Sequence, residues 1–245
     1  MPDSQAKDAD DDAIAVRRRF GSHLSGEGIE IGPGHVPFPA PAPATVRYVD
    51  RWEPAVNRSL FPELGEAPGF PIPDMLVDLD RDRLSGIKTS SQDFVIASHV
   101  LEHLANPLAM LVDIHRVLRP AGLLVLLLPD RHKTHDRERE PTPLSHLIDE
   151  YSRDVREVDD AHILGHIIGT LRADGIERDF ASPVEIDFHR QRSVHAHVWD
   201  AGEFSEVIAF TTTELGLDWE VIDMMATGAK GTYGDEFGWV LSKGK

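Results

Sequence analysis

The chain has 245 residues, 41% of them hydrophobic, enough for one α/β core or one core carrying an insertion. Forty-two acidic against 25 basic residues leave a net charge of −17, which excludes a chain that holds nucleic acid or an anionic membrane by bulk electrostatics. Without cysteine there is no disulfide, thiolate metal site or cysteine nucleophile, and together with the lack of a signal-peptide pattern this predicts a cytoplasmic protein.

In chain order, residues 1–12 are polar and crowded with Asp8, Asp10, Asp11 and Asp12, so they are expected to form a disordered acidic tail. One domain is expected over 13–245. Ala13 to Phe20 predicts a short helix ending at Gly21, with Arg17, Arg18 and Arg19 as a solvated face. Gly28-Ile-Glu30-Ile-Gly32-Pro33-Gly34 then reads as a first strand breaking into a tight glycine turn under a nucleotide. Glu30 would repel a pyrophosphate but suits a cationic ligand such as an amino group. Pro37 to Pro43 is too rich in proline for a long helix.

Val46 to Asp50 predicts a second strand whose terminal acid lies 18 positions beyond Gly32, a spacing and place suited to accepting two ribose hydroxyls. Arg51 follows it. Glu53 to Phe70 is a weak helix and loop, and Met75 to Asp80 a third strand ending in Asp78, Leu79 and Asp80. Asp93 to Ser98 is an apolar strand running through His99 into a helix start, and Asn106-Pro107 opens a helix with Leu108, Leu111, Val112, His115 and Leu118 on one face. Leu118-Arg-Pro-Ala-Gly122 is expected to end that helix. The longest apolar run, Leu123 to Leu128, suits a central strand and is too short to cross a membrane.

After Pro129 the composition changes. Asp130 to Arg139 packs basic, acidic and imidazole groups together, and a mostly helical insertion over about 131–192 is a candidate lid or substrate subdomain. The 13 histidines fall mostly after Asp130. His195 and His197 alternate in Ser193-Val-His-Ala-His-Val-Trp199, so both are expected on one face of an extended segment, spaced as two metal ligands or as a base with its orienter. The pattern leaves half-buried, purely structural histidines as the other reading. Gly202 to Leu215 predicts a helix, and Trp219 to Met224 and Glu236 to Ser242 two strands joined as a hairpin through Gly228 to Gly234.

The acid-x-Gly-x-Gly turn, the Glu-His-Leu helix start and the Leu-Arg-Pro-x-Gly turn together resemble the class I S-adenosylmethionine-dependent methyltransferases. The resemblance implies a doubly wound α/β fold with a seven-stranded sheet whose last strand is antiparallel. It further implies S-adenosyl-L-methionine held by Glu30, Gly32, Pro33, Gly34, Asp50 and Arg51, with Asp78, Leu79 or Asp80 at the adenine and Ser98 and His99 at the edge. The Glu-Ile-Gly-Pro-Gly motif, the Arg139, Thr142, Leu144, His146 stretch and the His-x-His-x-Trp strand look like bacterial sugar O-methyltransferases of natural-product, antibiotic and polysaccharide clusters, including those acting on nucleotide sugars such as TDP-rhamnose.

That narrower resemblance implies methylation of a sugar hydroxyl assisted by a base and a divalent metal. Catalytic candidates are His195, His197, His132 and Asp130, and metal candidates are Asp130, His195 and His197, with magnesium, manganese, calcium or zinc left open. Arg131, Lys133, Arg137 and Arg139 are the candidate cluster for a diphosphate, or a solvated face paired with their acidic neighbours. A small-molecule sugar or sugar nucleotide is the expected partner, with no nucleic acid, no membrane and a homo-oligomer possible. A non-sugar acceptor, an NAD(P)-dependent reductase and a non-catalytic relative are the competing readings.

Overall fold

The structure is a computed structural model that describes residues 15–64, 69–229 and 234–245. The expected acidic tail at 1–12 and part of the expected Gly228 to Gly234 hairpin lie outside these residues.

Helix α1 (Ala15–Gly21) leads into β1 (Glu27–Ile31), β2 (Thr45–Asp50), α2 (Pro54–Leu60), β3 (Met75–Leu76), β4 (Gln92–Ser98), α3 (Pro107–Val117) and β5 (Leu118–Pro129). Three helices follow, α4 (Leu144–Ser152), α5 (Asp160–Ala173) and α6 (Pro183–Arg190). The chain then closes with α7 (Ala201–Thr213), β6 (Trp219–Met225) and β7 (Glu236–Lys243). The strands form one seven-stranded sheet in the order β3-β2-β1-β4-β5-β7-β6, in which β7 runs antiparallel to the other six. This is the expected doubly wound α/β fold.

Strand alternation explains the two faces. Val95, Ala97, Leu124 and Leu126 join Leu108, Leu111 and Ile114 of α3 and Phe204 and Val207 of α7 in one core. Their neighbours Phe94, Ile96, Val125 and Leu127 pack with Val16 and Phe20 of α1 on the other face. Strands covered on both sides are apolar throughout, which is why β5 reads as an unbroken apolar run from Leu123 to Leu128. Gly28 is dictated by packing, because a Cβ there would lie 2.3 Å from the Phe94 ring. The proline-rich segment after β1 forms no helix, as expected.

Three local expectations are corrected. The third strand is only Met75–Leu76, because Asp78 turns the chain by accepting the N–H groups of Asp80 and Arg81 at 3.1 and 3.2 Å. Leu118 belongs to β5, not to the end of α3: the Arg119 to Gly122 turn is absorbed as an irregularity within the strand, with Ala121 at φ 61°. Arg17 is not solvated; its guanidinium is buried on Glu236 of β7, 2.6 Å from Oε2.

Parallel pairing aligns the functional edge. Ile31 pairs with Val49 and with Ala97, and Ser98 with Leu127, so Gly32, Asp50, His99 and Asp130 all leave strands at the same carboxyl edge. Ligands bind at that edge in open α/β sheets.

Candidate active site

A cavity of about 650 Å³ opens at this edge, between the strand ends and the chain from 156 to 194. Gly32, Gly34, Asp50, Arg51, Asp78, Leu79, Asp80 and His99 line it, so eight of the eleven residues expected at the cofactor share one space. Gly32 and Gly34 both have φ 58°, the left-handed region that a side chain strains. A Cβ on Gly32 would press on Val100 at 3.1 Å, whereas nothing stands within 4 Å of one on Gly34.

Glu30, Pro33 and Ser98 do not line the cavity. Glu30 is buried behind the turn, where Oε1 accepts the Phe38 N–H at 2.9 Å and Oε2 has no hydrogen-bond partner. Burial pushes its carboxyl up to about 7, against the Phe38 hydrogen bond and the Arg17 charge. Through the Phe38 bond it holds the segment that follows the glycine turn against β1.

Asp50 ends β2 with Oδ1 accepting the Arg51 N–H at 2.6 Å. Burial raises its carboxyl, with the Trp52 and Arg51 N–H groups and the Asn57 side chain acting against it. Asp78 pairs with Arg51 at 3.1 Å, and Asp80 accepts the Ala105 N–H at 2.7 Å. Burial raises Asp80 to about 6. Both acids thus carry structural bonds while facing the cavity.

His99 follows β4 at φ 55° and stands on the cavity wall with Nε2 2.9 Å from Glu236 Oε2. Glu236 in turn holds Arg17, and Glu102 Oε1 lies 3.7 Å from His99 Nδ1. Burial disfavours the charged imidazole, but the Glu236 hydrogen bond and the charges of Glu102 and Glu236 outweigh it and raise the pKa. His103 also lines the cavity; its Nδ1 donates to the Val194 carbonyl at 2.8 Å, and burial with the neighbouring His195 lowers it to about 3, so it stays neutral.

The expected Asp130, His195, His197 group does not assemble. Asp130 accepts the His132 N–H at 2.8 Å and caps the short turn Arg131–Lys133. The segment bends at residue 197, so the two imidazoles join different clusters. His195 meets Asp136 at 2.5 Å, beside His135 and His103, whereas His197 is fully buried 3.0 Å from Glu150. His132 is half exposed, 3.5 Å from Asp200. None of Asp130, His132, His195 and His197 lines the cavity.

Two of the four residues of the expected diphosphate cluster are committed elsewhere: Arg131 forks onto Glu203 at 2.9 and 3.0 Å, and Arg139 bonds Asp136 and the carbonyls of His195 and Ala196. Lys133 and Arg137 are exposed and do not line the cavity. The cationic residues that do line the cavity are Arg51, Arg81, Arg156, Arg190 and Arg192. Sequence reasoning named only Arg51 of these; Arg156, Arg190 and Arg192 come from the turn before α5 and from around the end of α6, far along the chain from the glycines.

Residues 29–126 match the family described as methyltransferase domain. With the glycine turn, Asp50 and the sheet order above, that match decides the class. Residues 29–126 carry a class I, S-adenosylmethionine-dependent methyltransferase domain. The fold of the whole chain is similar to that of a Rhodobacter sphaeroides protein described as a Zn-dependent alcohol dehydrogenase, at 9% identity and TM-score 0.54, covering 94% of this chain and 89% of that one. A SAM-dependent methyltransferase from Aquifex aeolicus aligns at 13% identity and TM-score 0.44 over 93% of this chain and 87% of its own. The CurJ carbon methyltransferase aligns at 15% identity and TM-score 0.43 over 89% of this chain, which spans 48% of that longer one. No curated protein sequence matches the chain. No helix among the described residues is long and apolar enough to cross a membrane. S-adenosylmethionine is the cofactor that a domain of this class is expected to use.

Proposed function

We propose that this methyltransferase acts on a hydroxyl of a small polar acceptor, a sugar or sugar nucleotide by preference. The observation that carries the proposal is the meeting of Gly32, Gly34, Asp50 and His99 in one cavity. The residues fit the cofactor. The turn lets backbone approach it, the Asp50 carboxylate suits two ribose hydroxyls, and the unpartnered Glu30 oxygen beneath the turn favours a cation above it. S-adenosylmethionine, when bound, supplies an electrophilic methyl group.

A hydroxyl must lose its proton as it is methylated, and general-base help contributes roughly 10²–10⁴-fold. His99 is the imidazole placed to give that help. Glu236 fixes the ring through Nε2, leaving Nδ1 to take the proton beside Glu102. His195, His197 and His132, the candidates read from the sequence, give way to it because they stand off the cavity wall. An acceptor phosphate would be met by Arg156, Arg190 and Arg192, which now bond Asp154, Asp160 and Glu63. Exchanging an exposed carboxylate for a phosphate is inexpensive. The segment from 131 to 192 is then the acceptor-binding wall.

Calorimetric titration of S-adenosylmethionine into the wild type and Asp50→Ala tests the reading. Binding by the wild type, at least tenfold weaker in the variant, is expected for a lost charge-assisted pair of hydrogen bonds. Unchanged affinity would remove Asp50 from the site, and binding of NAD(P) in place of S-adenosylmethionine would replace the whole reading by that of a reductase. Methyl transfer assayed with a panel of sugar nucleotides and non-sugar alcohols then decides the acceptor.

A further inference from the structure

A second constellation lies behind the cavity wall. His146 and Glu150 stand one turn apart on α4, His162 is in the first turn of α5, and His197 sits at the bend before Trp199. Their ring nitrogens and carboxylate oxygens converge: His146 Nε2 lies 3.0 Å from His162 Nε2, and Glu150 Oε1 lies 3.1 and 3.2 Å from those two atoms. Glu150 Oε2 lies 3.0 Å from His197 Nε2, and one donor atom from each of the four falls within 4.8 Å of the others. Four donors about 2.0–2.1 Å from a tetrahedral zinc stand roughly 3.3 Å apart, so the spacing already fits an ion.

The environment points the same way. Asp159 Oδ1 lies 2.7 Å from His162 Nδ1, the carboxylate-to-imidazole contact that turns the opposite nitrogen's lone pair toward a metal. That lone pair then faces His146 Nε2 and a carboxylate oxygen, three acceptor positions that a cation satisfies together. His197 and Glu150 are buried, and His197 stacks on Trp199 at 5.7 Å, which fixes its ring. With three imidazoles, one carboxylate and no sulfur, the donor set suits zinc.

We propose that His146, Glu150, His162 and His197 bind one zinc ion as a closed structural site that fastens the segment between β5 and α7 to the methyltransferase core. None of the four lines the cavity, so the ion does not touch substrate. The segment needs such a fastening: apart from residues buried in the main cores, its own fully buried apolar cluster is only Ile163, Ile167 and Val194. Small units with little core of their own are commonly held by a metal. The site joins α4, α5 and the 193–199 stretch, and Glu150 also bonds the core through its carbonyl, 3.0 Å from the Asn106 amide. Ile163 and Val194, neighbours of the ligand positions, form part of the cavity wall.

The test needs no substrate. Full-length protein purified without chelator is analysed for metals, then stripped and titrated with zinc, and with cobalt as a coloured probe. We expect about one zinc per chain, a tetrahedral cobalt spectrum and a melting temperature that rises with zinc. His146→Ala, at the most exposed ligand and so the change easiest for the fold to bear, should bind zinc at least 100-fold more weakly while keeping its circular dichroism. Asp159→Asn, which retains the cap of α5, should weaken binding about 10–100-fold. His195→Ala, in the neighbouring cluster with Asp136, should bind normally. Protein that takes up no stoichiometric metal overturns the proposal. So does zinc retained by His146→Ala and Glu150→Gln but lost in His195→Ala.

Discussion

His99 sits where three ionisable side chains meet: Arg17, Glu102 and Glu236. Its raised pKa has two consequences of opposite sign. The neutral ring needed by a base accumulates as pH rises through the folded value, so methyl transfer should rise along that limb, and His99→Gln should flatten it. Stability runs the other way. A histidine whose folded pKa lies above its unfolded value of about 6.5 contributes fully below that pH and loses the contribution as pH rises through the folded value. The difference in melting temperature between wild type and His99→Gln should therefore shrink as pH rises above about 6.5. A difference that grows with pH would mean that His99 is held neutral.

At the scale of the elements, α1 is joined to the sheet edge by Arg17, whose guanidinium and the Glu236 carboxylate are 9% and 1% exposed. Burial opposes the charge on Glu236, but bonds to His99 and Arg17 hold it below the usual carboxylate range. Removing one member of a buried pair costs about 3–5 kcal/mol because the other charge is left uncompensated. Since His99 remains on Glu236, Arg17→Ala should cost about 3 kcal/mol in urea denaturation, near the lower end of that range. The same change removes a cation near His99, so the rising limb of the pH–activity profile should move to higher pH. Loss of stability with no movement of that limb would confine Arg17 to anchoring α1.

Across the whole molecule the net charge of −17 works against compactness, and part of the cavity's positive rim is offset by local acids. Added sodium chloride should raise the melting temperature as self-repulsion is screened within a Debye length that shortens from about 30 Å at 0.01 M to about 3 Å at 1 M. Affinity for a phosphorylated acceptor should fall over the same range, whereas stability should not. A thermal scan and a binding titration across one salt series separate the two effects; parallel loss of both would show that the surface ion pairs outweigh the self-repulsion.

The features that neighbouring residues alone decide are local or periodic. The apolar strands, Gly32 and Gly34 at positions of positive φ, Asp50 at a strand tip and the order of elements were legible because strand period and backbone stereochemistry are written in neighbouring residues. The class followed from that order. The histidines were legible only as a census. Which of them share a cluster depends on contacts between residues far apart in the chain, such as His146 with His197, and on one bend at residue 197 that sends His195 and His197 to different partners. Glu30 was legible as an acid beside the turn, but only the packing of Phe38 over it shows that it lies beneath the cavity and not in its wall. Arg17 was misplaced for the same reason, since its partner Glu236 lies 219 residues away on β7. Asp130 was misplaced for a local one: its carboxylate caps the turn that follows it, through the His132 N–H.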